Sequence, residues 1–240
     1  MESVFYYVFI LIINLIVFLP FIIIGILAII SNNTPNNKII TSIRKQTINE
    51  RRGDIGEWLT YNVLLSPQVL GSRKILRNLY IPMNKGHFTE IDIVMIHESF
   101  IFVVENKSYS GWIYGCEDAT HWTQTFKSGR RYHFYNPMKQ NNTHVYALSK
   151  YLNMPVNNIF SIIVFGEGCT LKQIPSSSRT PTIILNRHEL AVVLNNIISS
   201  SETRFTLENI DEIYNALLPL SLTDEKTLEN HVERINSINN

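Results

Sequence analysis

Between Thr89 and Lys107 the chain runs through two apolar stretches, Glu90 to Ile96 and Phe100 to Lys107, whose outer ends carry Glu90, Asp92, Glu105 and Lys107. A hairpin with a two-residue loop at Glu98-Ser99 would set His97 against Phe100 and make the numbers of facing residues sum to 197. Asp92 would then face Glu105, and Glu90 would face Lys107. Side chains alternate along a strand, so all four would project from one face together with Val94, Ile96, Ile101 and Val103. Ile91, Ile93, Met95, Phe102 and Val104 would fill the other. Two carboxylates directly opposite on a sheet have Cβ atoms about 5 Å apart and repel. Burial against aliphatic neighbours sharpens that repulsion, so the pair needs a shared proton or a cation. A hard divalent ion such as Mg²⁺, bound by carboxylate and water oxygens, supplies the cation. Lys107 would then stand where it can orient a water and stabilise negative charge developing on a phosphate. The competing arrangement is a plain Glu90–Lys107 ion pair, with Asp92 at a solvated strand end.

Several elements must hold this cluster. The spacing of Ile55, Trp58, Leu59 and Val63 predicts a helix after Gly53 with that stripe facing inward, ended by Ser66-Pro67. Residues 75–81 read as a strand. Residues 111–135 read as short aromatic segments with a turn at Ser128-Gly129. Asn136-Pro137 reads as N-cap and first position of a helix to Leu152. Phe160 to Phe165 and Thr182 to Leu185 read as buried strands, and residues 187–200 and 207–218 as helices. The order suits an α/β or α+β sheet covered by helices.

Composition separates the chain into unlike parts. Val4 to Ile30 holds 24 apolar residues in 27 and no charge, Asn14, Pro20 and Gly25 being the exceptions. As a straight helix it would reach about 40 Å against a hydrocarbon core of about 30 Å, enough for a transmembrane anchor with a kink at Pro20. No Lys or Arg precedes it, and Ser31-Asn32-Asn33 makes a poor cleavage site for a signal peptide. Lys38, Arg44, Lys45, Arg51 and Arg52 follow it, which places the N-terminus outside the cell membrane and the bulk of a single-pass protein in the cytoplasm. The anchor takes residues 1–30 and a polar linker residues 31–50. Residues 31–201 carry a charge of +7 and an acidic, helical tail over 202–240 carries −5. The aromatic content excludes a disordered chain. Cys116 and Cys169 are too few for a disulfide scaffold and read as free thiols, and the sequence holds no CxxC, HExxH or GxxxxGK[ST].

Asp92, a gap of 12 residues, then Glu105-Asn106-Lys107 is similar to the D…(D/E)xK signature of the PD-(D/E)XK nuclease superfamily. Gly56-Glu57, Glu90-Ile91-Asp92, Glu105-Asn106-Lys107, Gly111 and Asn136-Pro137-Met138-Lys139-Gln140 together resemble, in order and spacing, the nuclease-related domain (NERD) over residues 51–152. The resemblance implies a restriction-endonuclease-like mixed sheet flanked by helices, in a domain extending over 51–201. It implies Asp92 and Glu105 as metal-binding carboxylates for Mg²⁺ or Mn²⁺, and Lys107 as the catalytic lysine. Glu57 would be the acidic residue of the preceding helix and Gln140 the glutamine of the NPxxQ block. Taken alone, Glu57 lies off the apolar stripe and reads as a surface glutamate, and Gln140 as solvent-facing. Asn106 departs from the apolar residue common at the centre of such triplets, which puts the burial of that strand in question.

Lys127, Arg130, Arg131 and Lys139 are interleaved with aromatic residues in a segment, 107–139, of charge +3. Such a surface suits nucleic acid, DNA ahead of RNA; an aromatic meander packed on the sheet is the plainer account of most of the rings. His133 and His144 read as ordinary surface or core residues. Three functions follow: a membrane-anchored metal-dependent nuclease, a catalytically inactive nucleic-acid-binding or scaffolding module, and an assembly protein that works through its tail.

Overall fold

A computed structural model of the chain describes residues 53–174 and 182–221, the side chain of Lys85 excepted. The expected anchor (1–30), the linker (31–50) and the end of the tail (222–240) lie outside the described residues. The first element is a helix over 53–65, α1. Strands β1 (Arg73–Pro82), β2 (Phe88–His97) and β3 (Ile101–Lys107) follow, then β4 (Gly111–Tyr114), β5 (His121–Thr125) and β6 (Arg131–Tyr135). After α2 (Pro137–Tyr151) come β7 (Ile159–Phe165), β8 (Cys169–Gln173) and β9 (Thr182–Asn186), and then the helices α3 (Leu190–Ser199) and α4 (Leu207–Ser221). β8 had no sequence signal: CTLKQ carries too little apolar alternation to read as a strand.

A five-stranded sheet in the order β1-β2-β3-β7-β9 is antiparallel through β1-β2-β3 and parallel through β3-β7-β9. β2 and β3 are covered on both faces, which is why they read as unbroken apolar runs. On one face Val94, Ile96, Ile101 and Val103 pack under Val145 and Leu148 of α2 and under Ile210 and Leu217 of α4. On the other, Ile93, Met95, Phe102 and Val104 pack under Leu64 of α1 and Leu190, Leu194 and Ile198 of α3. α4 is therefore a core element, and the described part of the acidic segment, up to Ser221, is built into the domain through Phe205, Ile210 and Leu217. A second sheet, β6-β5-β4-β8, packs through Ile113 and Trp122 on Phe165 and Met138.

The hairpin register is the expected one: Ile93↔Val104, Val94↔Val103, Met95↔Phe102 and Ile96↔Ile101. The ladder stops there, short of Asp92. On its other side β2 pairs with β1 at Arg77↔Ile93 and Leu79↔Ile91, and the rung between them, Asn78 with Asp92, is missing. Asn78 has φ 53°, a left-handed conformation that asparagine tolerates better than most residues. Both strands reverse their alternation at this point. Leu76 and Leu79, three apart, enter the same core cluster, and so do Val94 and Ile91. Ile91 is thus on the opposite face from the one its spacing predicts.

α1 is turned differently from its apolar stripe. Ile55, Trp58 and Leu59 are exposed (57%, 55% and 39%), while Thr60 and Leu64 are fully buried and Gly56 faces the sheet. The reason is close approach: a Cβ at Gly56 would collide with the Ser108 hydroxyl and the Asn106 amide. The helix rests on its small side chains and leaves its large ones outside.

Candidate active site

The reversal at Asp92 distributes the acidic residues. β3 keeps its alternation to the end, so Glu105 and Lys107 stay on the α2 side, in line with Ile101 and Val103. Glu105 is buried (2% exposed), with Oε1 2.6 Å from Lys107 Nζ and Oε2 3.2 Å from His144 Nε2. Lys107 also donates to Gln140 Oε1 at 3.0 Å. His144 Nδ1 lies 2.8 Å from the Thr89 hydroxyl. Gln140 and His144 stand one turn apart on α2, whose start is fixed by Asn136: its side chain accepts from the Met138 N–H at 2.9 Å. Asn141 pins the same helix to the sheet by donating to Ser161 Oγ (2.9 Å) and the Val103 carbonyl (3.1 Å).

Glu90 is turned away from this group. The expected Glu90–Lys107 pairing is replaced: the reversal puts Glu90 on the α1 side, where the Tyr80 hydroxyl donates to its Oε1 at 2.8 Å. Glu57 joins it there, half-buried, with Arg77 3.9 Å away. Glu57 is pushed up to about 7 by burial and then by the neighbouring Glu90, with Arg77 opposing. Tyr80 is raised by burial and by Glu90.

Asp92 sits at the break, between the two groups. Its Oδ2 accepts from the Asn106 backbone N–H at 2.8 Å, the donor that the interrupted ladder leaves free. Burial, then the charges of Glu105 and Glu57, hold Asp92 well above the usual carboxylate range, against the pull of Lys107 and that N–H. Burial pushes Glu105 the same way, but Lys107 and His144 outweigh it and keep it ionised. Burial would lower Lys107; Glu105 and Asp92 outweigh that and hold it protonated.

Asn106, the departure from an apolar triplet centre, is buried and partnered. Its Oδ1 lies 2.7 Å from the Thr60 hydroxyl of α1, which in turn accepts from Arg187 Nε at 3.1 Å. Arg187 is itself buried and reaches Glu167 at 3.0 Å. The polar centre is thus a tie between β3 and α1, and the strand is as deeply buried as an apolar triplet would require.

The structure therefore brings Glu57, Asp92, Glu105, Lys107 and Gln140 around the open end of the β2-β3 ladder. It adds His144, which sequence reasoning set aside; the signal available was its i, i+4 spacing from Gln140. Lys127 and Arg130 lie in the β5-β6 turn and Arg131 begins β6; Lys139, in the first turn of α2, donates to the Asp118 carbonyl at 2.7 Å.

The donors suit a hard cation. Glu105 Oε2 is buried and makes no hydrogen bond of good geometry, and Asp92 is an adjacent carboxylate crowded by like charge. Among the described residues no three His, Cys, Asp or Glu side chains form a closed cage. Mg²⁺ does not require one, since it keeps several waters beside one or two carboxylates.

An uncharacterised protein of Bacillus anthracis is 29% identical over 200 residues, covering 82% of this chain and 90% of that protein. The small subunit of the heterodimeric restriction endonuclease R.BspD6I aligns over 76% of this chain and 88% of its own at 16% identity, with a TM-score of 0.27. Residues 52–166, the span from α1 to the end of β7 that positions every group of the cluster, match the family model of the nuclease-related domain (NERD).

Proposed function

We propose that this protein is a metal-dependent nuclease that hydrolyses phosphodiester bonds and is held at the cytoplasmic face of the cell membrane by residues 4–30. The observation that carries the reading is the convergence of Asp92, Glu105 and Lys107 where β2 parts from β3. Asp92 and Glu105 would hold Mg²⁺ or Mn²⁺, which when bound polarises a phosphate and acidifies a water. Lys107, kept charged by Glu105 and steadied by Gln140, offsets negative charge on the phosphate and orients the attacking water. His144 fixes the second oxygen of Glu105. Glu57 lies at the rim, and its pKa near neutrality suits it to exchange a proton with solvent. A superfamily kinship with PD-(D/E)XK enzymes is part of this reading.

A second reading keeps the nucleic acid and drops the chemistry. The observation that favours it is the closure of Glu105 by Lys107 and His144, which leaves the carboxylate partnered without a metal. One assay separates the two. The full-length chain is incubated with single- and double-stranded DNA and RNA in Mg²⁺, Mn²⁺ or EDTA, beside Glu105→Gln and Lys107→Ala. Metal-dependent cleavage lost in both variants supports the nuclease. Cleavage that persists in the variants or in EDTA removes the proposed site, and binding without cleavage in any metal supports the second reading.

A further inference from the structure

The second sheet has two unlike faces. Toward the core, Trp122 lies parallel to Phe165 with centroids 6.4 Å apart, and Tyr109 stacks on Phe134 at 4.3 Å. Those rings are structural. Alternation sends another set outward, where no core cluster of the described residues covers it. Trp112 is in register with Thr125, and Thr125 with Arg131; Tyr114 is in register with Thr123. The two threonines are small, so the face is hollow. The concavity has a volume of about 640 Å³, with Trp112 and Tyr114 on one wall and Lys127 and Arg131 on another. Lys172 joins them. It is the extra residue where the β4-β8 register shifts between Ile113 and Tyr114, and its Nζ lies 6.0 Å over the Trp112 ring.

The charged residues that line this hollow, Lys127 and Arg131, are both basic, and Glu117 and Asp118 lie in the β4-β5 loop outside that lining. The four strands, GWIY, HWTQT, RYHFY and CTLKQ, contain no Asp or Glu. Aromatic rings beside cations over a hydroxyl-bearing floor match an unpaired base with its flanking phosphates, the ring stacking on the base and the cations neutralising the backbone. A duplex would satisfy the cations but leave Trp112 and Tyr114 without partners, because its bases are already stacked on one another. From the hollow, Lys107 is close along the chain: Gly111 follows it by four positions, at most about 14 Å of extended backbone.

We propose that the outer face of β4, β5, β6 and β8 is a docking surface for single-stranded nucleic acid, with Trp112 and Tyr114 as base-stacking platforms and Lys127, Arg131 and Lys172 as phosphate contacts. The inference deepens the nuclease reading by naming its substrate class, and rests on it for the fate of the bound strand, though not for the binding.

The test measures binding of the full-length chain, in EDTA, to a fluorescent oligothymidylate and to its duplex by anisotropy across a salt series. Trp112→Ala is expected to weaken the single strand by about 5- to 150-fold, the range of one lost base stack, and to leave the duplex unchanged. Trp112→Phe should restore most of the affinity. Lys127→Ala and Arg131→Ala should each flatten the log–log salt dependence by about 0.7 for the single strand. Should Trp112→Ala melt below the assay temperature, Tyr114→Ala and Trp112→Phe carry the same comparison. Unchanged single-strand affinity in the Trp112 and Tyr114 variants, or equal weakening of strand and duplex, overturns the proposal. Cleavage in Mg²⁺ is read separately. Trp112-dependent binding with no cleavage sinks the nuclease and leaves the surface; Glu105-dependent cleavage indifferent to Trp112 does the reverse.

Discussion

His144 Nε2 stands 3.2 Å from Glu105 Oε2, and both atoms are buried. The contact brings α2 up to the carboxylate that Lys107 holds from the other side, so Glu105 is paired with Lys107 at Oε1 and only approached by His144 at Oε2. Thr89, at 2.8 Å from Nδ1, sets the ring's orientation.

His144→Ala is expected to lower cleavage or metal affinity by about 10- to 100-fold, the usual effect of removing a group that orients a ligating carboxylate. Titrating Mg²⁺ against initial rate checks it. A variant with wild-type metal dependence would show that Lys107 alone orients Glu105.

Asp92→Asn should stabilise the metal-free protein at neutral pH while abolishing cleavage. Asp92 has a folded-state pKa above its ordinary value, chiefly through burial. For a carboxylate shifted in that direction, the penalty is absent when both states are protonated and grows as pH rises past the unfolded value. The gain in thermal midpoint should therefore be present at pH 7 and vanish below about pH 4. Glu105 has the opposite sign: its contribution is present above the unfolded pKa and lost as pH falls through the folded one. Thermal melts in EDTA across pH, for wild type, Asp92→Asn and Glu105→Gln, check both directions.

Gly56→Ala should destabilise the fold by about 1–3 kcal/mol, a typical cost of overpacking, because the added methyl meets Ser108 and Asn106. Urea midpoints measure it. An unchanged midpoint would mean that α1 can slide away from β3 freely.

The exposed side of α1 should be silent where its buried side is not. Ile55→Ser and Trp58→Ser are expected to change stability by no more than about 0.5 kcal/mol. Leu64→Ala should cost about 2–5 kcal/mol. Equal losses on both sides, read from denaturant melts, would contradict the helix orientation seen here.

How much of this was legible in the sequence varies by element. The β2-β3 register was readable because a two-residue loop fixes pairing and an apolar run on each side fixes length. The α2 start was readable from Asn136-Pro137, since capping is local chemistry. The facing of α1 was not, because hydrophobic spacing assumes that large apolar residues go inward, whereas here Gly56 and Thr60 go inward to let the helix approach β3. The reversal at Asp92 was equally hidden: it depends on the backbone of Asn78, a residue on another strand with no periodic signature. His144 went unseen because a lone histidine has no partner in sequence; its partners, Glu105 and Thr89, meet it only once α2 lies across the sheet.

The rung absent between Asn78 and Asp92 forgoes ladder hydrogen bonds that contribute about 0.5–1.5 kcal/mol each. Beside it the β2-β3 ladder ends too, so one peptide N–H of β3, that of Asn106, has no strand to answer it, and Asp92 answers instead. The same side chains hung on a complete ladder would lose that donor to a neighbouring carbonyl, and Glu90 would fall back beside Glu105 as a third charge in the cluster. What makes the end of this hairpin chemically different from its middle is thus an unfinished seam in the sheet.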